Sequence, residues 1–181
     1  WGSNTATLAR GYMNGATTEL STGDATGSSW AVRLRGDWDD LATLAGLNVS
    51  PYLSYTHATS RLNGYTETGG TLPLTYSSMN QISREIRAGV TLLSQLSEQT
   101  DLRFPLELTH RENGSASVTV AVNPLVSFPM NNPGSKQNWA RVGIELDHRL
   151  DAQTVLNGAT ILSTLGGDSS WLATISLKHA F

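Results

Sequence analysis

The chain contains no cysteine in 181 residues, which excludes a disulfide scaffold and a thiolate metal site. That absence also suits passage through an oxidising compartment. Charge is scarce. Charged residues make up 15% of the chain, against roughly 25% in an ordinary soluble domain. Lysine is nearly missing, with two Lys beside ten Arg. A net charge of −3 and a pI near 5.7 give no broad electrostatic attraction for nucleic acid, and no such partner is expected. The missing charge is not replaced by apolar residues, which stand at 39%, but by 20 Ser, 21 Thr, 17 Gly and 11 Asn. That mixture is too poor in charge for a solvated disordered tail. It is also too polar for a bundle of membrane helices. The N-terminus carries no pattern of a secretory signal. The expectation is therefore a segment from inside a larger product, a processed product, or a cytosolic chain.

Long hydrophobic runs are absent too. A spanning helix needs about 20 mostly apolar residues. The charge-poor stretches 41–60 and 113–135 are broken by Asn48, Ser50, Pro51, Ser54 and Thr59, and by Pro124, Pro129 and Pro133. No segment shows a 3.6-residue period. The remaining membrane option is a closed β-barrel, which announces itself by alternation over about ten residues.

That alternation is present repeatedly. In 102–111, Leu102, Phe104, Leu106 and Leu108 oppose Arg103, Pro105, Glu107, Thr109 and Arg111. In 138–150, Ala140, Val142, Ile144 and Leu146 oppose Arg141, Gly143, Glu145, Asp147 and Arg149. In 28–38, Trp30, Val32, Leu34 and Trp38 oppose Arg33, Arg35 and Asp37. In 170–181, Trp171, Ile175, Leu177 and Phe181 oppose Thr174, Ser176 and Lys178. Segments 80–93 and 46–56 alternate less cleanly, with Arg84 breaking the apolar side of the first. Segments 4–13 and 153–165 have strand composition. Successive side chains of a strand point to opposite faces, so the pattern predicts about eight strands, each with one apolar and one polar face. Strands of 9–11 residues match a tilted bilayer crossing. The fold class expected is all-β, an antiparallel up-and-down transmembrane β-barrel. The expected state is a monomeric barrel in outer-membrane lipid.

The gaps between these segments are 14–27, 39–45, 57–79, 94–101, 112–137, 150–152 and 166–169. They alternate long and short up to the last, as the extracellular loops and periplasmic turns of bacterial outer-membrane barrels do. Trp30, Trp38 and Trp171 sit near strand ends on the apolar parity, where interfacial aromatic girdles form. The polar parity holds most of the charge: Arg33, Arg35, Glu85, Arg87, Arg103, Glu107, Arg111, Arg141, Glu145 and Asp147 are expected to line a lumen. Arg suits such a wall because it pairs with carboxylates in a planar, bidentate way.

The chain closes on an alternating strand with Ile175, Leu177 and Phe181 on one parity. This resembles the C-terminal signal that the barrel-assembly machinery reads in bacterial outer-membrane proteins. Residues 50–57 (SPYLSYTH), the following Gly64-Tyr65-Thr66-Glu67, the Pro-containing strand 104–113 and the closing segments 138–147, 153–165 and 170–181 together resemble the C-terminal translocator domain of autotransporters (type V secretion). The resemblance covers nearly the whole chain, 1–181. It implies a twelve-strand barrel threaded by an N-terminal helix. Room exists here for about eight strands, matching the last eight, and for no helix. It further implies a Gram-negative outer-membrane location and protein transport. The barrel's role would be export and cell-surface display of an upstream passenger, which in some similar barrels is a lipase or esterase of the GDSL type. The alternative is a stand-alone eight-strand barrel acting as an adhesin, a structural protein or a rim enzyme. A soluble lipocalin-like barrel would instead put the apolar parity inside.

No catalytic, cofactor or metal residues are expected. The four histidines, 57, 110, 148 and 179, show no metal-ligand spacing. They read as interfacial strand-end residues. His57 and His110 are the pair that a rim enzyme would use. Gly-rich phosphate loops and the G-x-S-x-G elbow are absent. Asn131-Asn132 lies in a Pro-rich stretch and reads as a turn.

Overall fold

A computed structural model describes residues 1–122, 125–165 and 169–180. Thirteen strands appear among them and no helix. They are β1 (Gly2–Asn14), β2 (Thr17–Asp37), β3 (Ala42–Leu44), β4 (Leu47–Leu62), β5 (Tyr65–Thr66), β6 (Leu74–Tyr76) and β7 (Met79–Ser97). Beyond them follow β8 (Thr100–Asn113), β9 (Ala116–Val122), β10 (Val126–Asn132), β11 (Ser135–Arg149), β12 (Thr154–Leu165) and β13 (Ser169–His179). The main sheet runs β1-β2-β4-β7-β8-β11-β12-β13, with β3 on β4. Each long strand lies beside its sequence neighbour, which is an up-and-down meander. All eight expected strands are present in it.

Four expectations need correction. The path ends at β1 and β13, and no ladder joins these two among the described residues, so the sheet is open, not a closed barrel. The 14–27 gap is not a long loop. Asn14 pairs with Thr17 across a two-residue turn whose first residue, Gly15, has φ of 61°. A positive φ at that position is what a type II′ hairpin turn requires. Trp30 therefore lies well inside β2 rather than near its start. The other two long connections also fold. They supply β5, β6, β9 and β10, which form a second sheet in the order β10-β9-β6-β5. Asn131 and Asn132 end β10, opposite Ser117 and Ala116. They are strand residues, not a turn. Asn132 Oδ1 accepts from Gly134 N at 3.2 Å.

Contacts divide the chain into two units. The first holds Trp1–Val32, Thr56–Arg84 and Glu112–Ser135. Its core is small: Ala25, Ala116 and Val120 are buried with Ser21 and Glu67. The connection after β4 is tied to β2 by a two-way bridge between Thr22 and Thr68, whose N···O distances are 2.9 and 2.6 Å. Tyr65 lies across Gly23, where an added Cβ would come within 2.8 Å of the ring. Only glycine allows that approach. The free edge of the second sheet is blunted. Thr119 directs both N and O toward Ser77, so its partner Pro129 turns its ring nitrogen outward, and no N–H is offered there.

The second unit holds Arg33–Tyr55, Glu85–Arg111 and the chain from Lys136 onward. Its ladder between β11 and β12 runs from Trp139↔Leu165 to Arg149↔Val155, and that between β12 and β13 from Thr154↔His179 to Thr164↔Ser169. Pro51 and Pro105 both stay inside strands, β4 and β8.

Candidate functional site: the ionic wall of the second unit

Burial in the second unit is the reverse of a water-soluble protein's. On the apolar parity, Leu106 is 41% exposed, Leu108 67%, Val142 45% and Ile144 47%. On the polar parity, Glu85 is 8% exposed and Thr109 3%. A carboxylate is almost never buried unless paired. An exposed stripe of leucine and isoleucine asks for something other than water against it. The lipocalin-like arrangement, with the apolar parity inside, is excluded by these exposures.

The buried carboxylates are all partnered, and two are shared. Glu85 accepts from Arg87 Nε at 2.5 Å and from Arg111 Nη2 at 2.6 Å. Glu107 stands between Arg87 and Arg141, with Nη1 atoms 3.4 and 3.5 Å from Oε1. It also accepts from the Tyr52 hydroxyl and from Thr109 Oγ1 at 3.2 Å. Asp147 is bonded by Arg103 and by Asn157 Nδ2 at 2.6 Å. Arg35 grips Asp37 at 2.5 Å and lies 4.0 Å over the Tyr52 ring. Arg111 lies 4.9 Å over the Trp139 ring. The bonds therefore form a belt across strands: Arg35 on β2, Tyr52 on β4, Arg87 on β7, Glu107 on β8 and Arg141 on β11. Arginine is the residue for this, because one planar fork serves a carboxylate and an aromatic face together.

A cavity of about 340 Å³ opens on this belt, lined by Arg33, Arg35, Arg87 and Arg141 with Glu107 and Glu145. Four guanidinium groups around two carboxylates make it a polar, cation-rich cleft. All ten charged residues expected on the polar face take part in the ion pairs or line this cavity; Arg33 and Glu145 do so as lining only. Arg103 joins through Asp147. Sequence reasoning did not nominate Tyr52, Gly89, Thr109, Trp139 or Asn157. The signal for Tyr52 was its place on the polar parity of 46–56. Gly89 stands beneath it: a Cβ there would come within 2.7 Å of the Tyr52 hydroxyl oxygen. Trp139 is buried on the polar parity, while the alternation had been read only from Ala140 onward.

The remaining expected residues are placed as follows. Trp30, Trp38 and Trp171 are exposed. Trp30 lies 5.2 Å from the His57 ring, and Trp38 N donates to Pro51 O at 3.0 Å. Ile175 and Leu177 on β13 are exposed, whereas Phe181 lies outside the described residues. His148 and His179 bond Thr100 and Thr154 through Nδ1, each at 2.9 Å. His110 bonds Asn138 at 2.6 Å. These are cross-strand contacts. Among the described residues, no cluster of three or more His, Asp or Glu could hold a metal ion.

The first unit has its own ionic knot, built on the Gly64-Tyr65-Thr66-Glu67 segment. Glu67 accepts from Arg10 at 2.7 Å, from Leu74 N at 3.0 Å and from the Tyr76 hydroxyl at 3.2 Å. Tyr65 and Tyr76 stack with ring centroids 4.7 Å apart. The Arg10 guanidinium holds the Glu67 carboxyl below the usual carboxylate range.

An antiparallel meander with an apolar exposed face and a buried ionic face defines a class of protein, the outer-membrane β-sheet proteins. The family described as "Autotransporter beta-domain" matches residues 1–159. The chain belongs to that family. It is thereby an outer-membrane translocator domain of type V secretion, located in the bacterial outer membrane, and not a catalytic domain. No curated protein matches the chain. Among solved structures it is similar to Ail, the attachment invasion locus protein of Yersinia pestis, at 10% identity over 87% of this chain and 97% of that one, with a TM-score of 0.31.

Proposed function

We propose that this chain anchors an upstream passenger in the outer membrane and supports its export and display at the cell surface. The observation that carries the reading is the reversed burial: Leu106 and Leu108 open to the surroundings, with Glu85 and Thr109 covered on the opposite face. The apolar parity meets lipid. The residues Arg33, Arg35, Glu85, Arg87, Arg103, Glu107, Arg111, Arg141, Glu145 and Asp147 line a hydrated interior along which a chain passes without having to desolvate its own polar groups. Trp30, Trp38 and Trp171 hold the interfaces. Ile175, Leu177 and Phe181 form the terminal signal for the assembly machinery. The longest strands, β2 with 21 residues and β7 with 19, exceed a crossing of about 9–11, so their surplus, with the second sheet, stands outside the bilayer.

An unpaired edge is not tolerated in lipid, and β1 and β13 each present one. This supports a larger barrel over a stand-alone barrel of eight, and twelve strands is the number that the family resemblance implies. The test expresses the full-length protein in a Gram-negative host. It probes intact cells with an antibody to the upstream region and a protease from outside. Surface exposure of that region, lost when residues 1–181 are deleted, is the expected result. An upstream region that stays periplasmic in the presence of a folded barrel refutes the proposal. Surface esterase activity would support a passenger of the lipase or esterase class, the GDSL type among them.

A further inference from the structure

In the first unit, β2, β4 and the start of β7 enclose a hollow of about 360 Å³, within the roughly 300–1,000 Å³ of small-molecule sites. Trp30 and Met79 line its apolar side, and Thr59, Arg61, Ser78 and Asn80 its polar side. The lining holds a cation and no carboxylate. The Trp30 ring has His57 on one side, with centroids 5.2 Å apart, and is still 44% exposed. We infer that this hollow binds a phosphorylated sugar.

Uncommitted donors carry the inference. No side-chain hydrogen bond or ion pair joins Trp30, Thr59, Arg61, Ser78 or Asn80 to another described residue. The indole N–H and the guanidinium can only donate, and the Asn80 amide nitrogen donates as well. Two acids of the unit are already occupied. Glu67 takes Arg10 at 2.7 Å, and Asp24 accepts from Thr7 Oγ1 at 2.7 Å. Arg61 faces no such acid in the hollow, which therefore offers one positive charge and a surplus of donors to whatever enters. A phosphate answers both, since its oxygens accept and pair with a guanidinium in a planar, bidentate way. The Trp30 face answers the rest of the ligand. The C–H face of a pyranose packs on an indole, while its hydroxyls reach Thr59, Ser78 and Asn80, each of which both donates and accepts. Such a ligand has two sources, the headgroup of a surface glycolipid and a soluble sugar phosphate.

The test uses the full-length protein in mild detergent, with each variant checked for fold by circular dichroism. Ligand-observed NMR compares N-acetylglucosamine 1-phosphate with N-acetylglucosamine. Native mass spectrometry compares a phosphorylated, multiply acylated glucosamine lipid with its dephosphorylated form. In at least one pair the phosphorylated member should bind about tenfold tighter, the effect of one charge-assisted hydrogen bond. A preference in the lipid pair alone makes the ligand a glycolipid headgroup, one in the soluble pair alone makes it a free sugar phosphate, and one in both means that either source serves. Arg61→Gln should lose the preference. Asn80→Asp, which sets an anion in the same hollow, should lose it by repulsion, and decides the matter alone if Arg61→Gln does not fold. Trp30→Leu should weaken both members of a pair alike by removing the stacking face. Equal binding within both pairs overturns the inference, as does a phosphate preference that survives either charge variant.

Discussion

Leu106→Arg separates a lipid-facing surface from a water-facing one by magnitude. Leu106 is near the middle of β8 and 41% exposed, so nothing packed above it has to move for a longer side chain. Were that face in water, the substitution would change stability by no more than about 0.5 kcal/mol, since an arginine stem covers apolar neighbours much as leucine does. In lipid, a charge near the midplane costs about 2–4 kcal/mol. At about 1.4 kcal/mol per tenfold, that is roughly a 30- to 700-fold loss in the folding equilibrium. Leu108→Arg moves the charge two residues along the strand, about 6–7 Å, and should cost less, because the penalty falls toward the interface. Leu44→Arg is the control. Leu44 is 70% exposed in the β3–β4 hairpin, on a short connection outside the crossing. The assay is urea-titrated folding of the full-length protein into lipid vesicles, read by the heat-modifiable gel shift. The order of cost should be Leu106→Arg, then Leu108→Arg, then Leu44→Arg near zero. A Leu106→Arg variant that costs no more than Leu44→Arg refutes the lipid-facing assignment.

Gly89→Ala should destabilise folding by about 1–3 kcal/mol, because its methyl would meet the Tyr52 ring. Tyr52→Ala in the same chain should remove most of that increment, as urea titration of both variants would show. Glu107→Gln leaves Arg87 and Arg141 without their shared carboxylate, and a double-mutant cycle with Arg141→Gln should give a coupling of about 0.5–3 kcal/mol. A cycle that closes to zero would mean the 3.5 Å pair contributes nothing. In the first unit, Glu67 is ionised below the pH at which a free glutamate titrates, held so by Arg10. Its contribution is therefore complete above about pH 4.3, the unfolded value, and is lost as pH falls through the lower folded value. Hydrogen exchange at Thr68 and Leu74 should stay slow down to mildly acid pH and rise only below it. Glu19 should hold its bonds to Asn14 and Thr71 down to about pH 2, since they bring its carboxyl down to about 2.

The long strands were legible because their periodicity is two and their chemistry is extreme. Leu106 against Glu107 leaves a strand little choice of face. What the sequence did not disclose was where strands stop. Composition marks 14–27 as loop because Gly, Ser and Thr crowd it. Yet Ser21, Gly23 and Ala25 are small so that the connection bearing Tyr65 and Glu67 can close over them. Small residues in a strand carry no hydrophobic period, so a packed polar extension reads as an unstructured one. The second sheet was hidden for the same reason. Val118 and Val120 alternate over too few residues, and Pro129 argues against a strand unless its nitrogen is known to face an open edge. The belt of the second unit was half legible. Charges on one parity were visible, but not that Glu85 and Glu107 would each be shared. Sharing depends on which residues lie side by side on neighbouring strands, and parity within a strand is silent about register between strands.

The scarcity of charge and the preference for arginine have one cause. A strand in this sheet offers one face on which a charge is prohibitive and one on which it is useful, which halves the places a charge can occupy. On the useful face Glu85, Glu107 and Asp147 are drawn out of bulk water and must be bonded there. Lysine would bring one compact cation to one carboxylate. Arg87 reaches both Glu85 and Glu107, and Arg35 reaches Asp37 while covering Tyr52. Few charges then suffice to link five neighbouring strands, provided nearly all the cations are arginine. Two acids serving three arginines, Arg87, Arg111 and Arg141, also leave the cleft with cations in excess. A wall of that kind stays wetted.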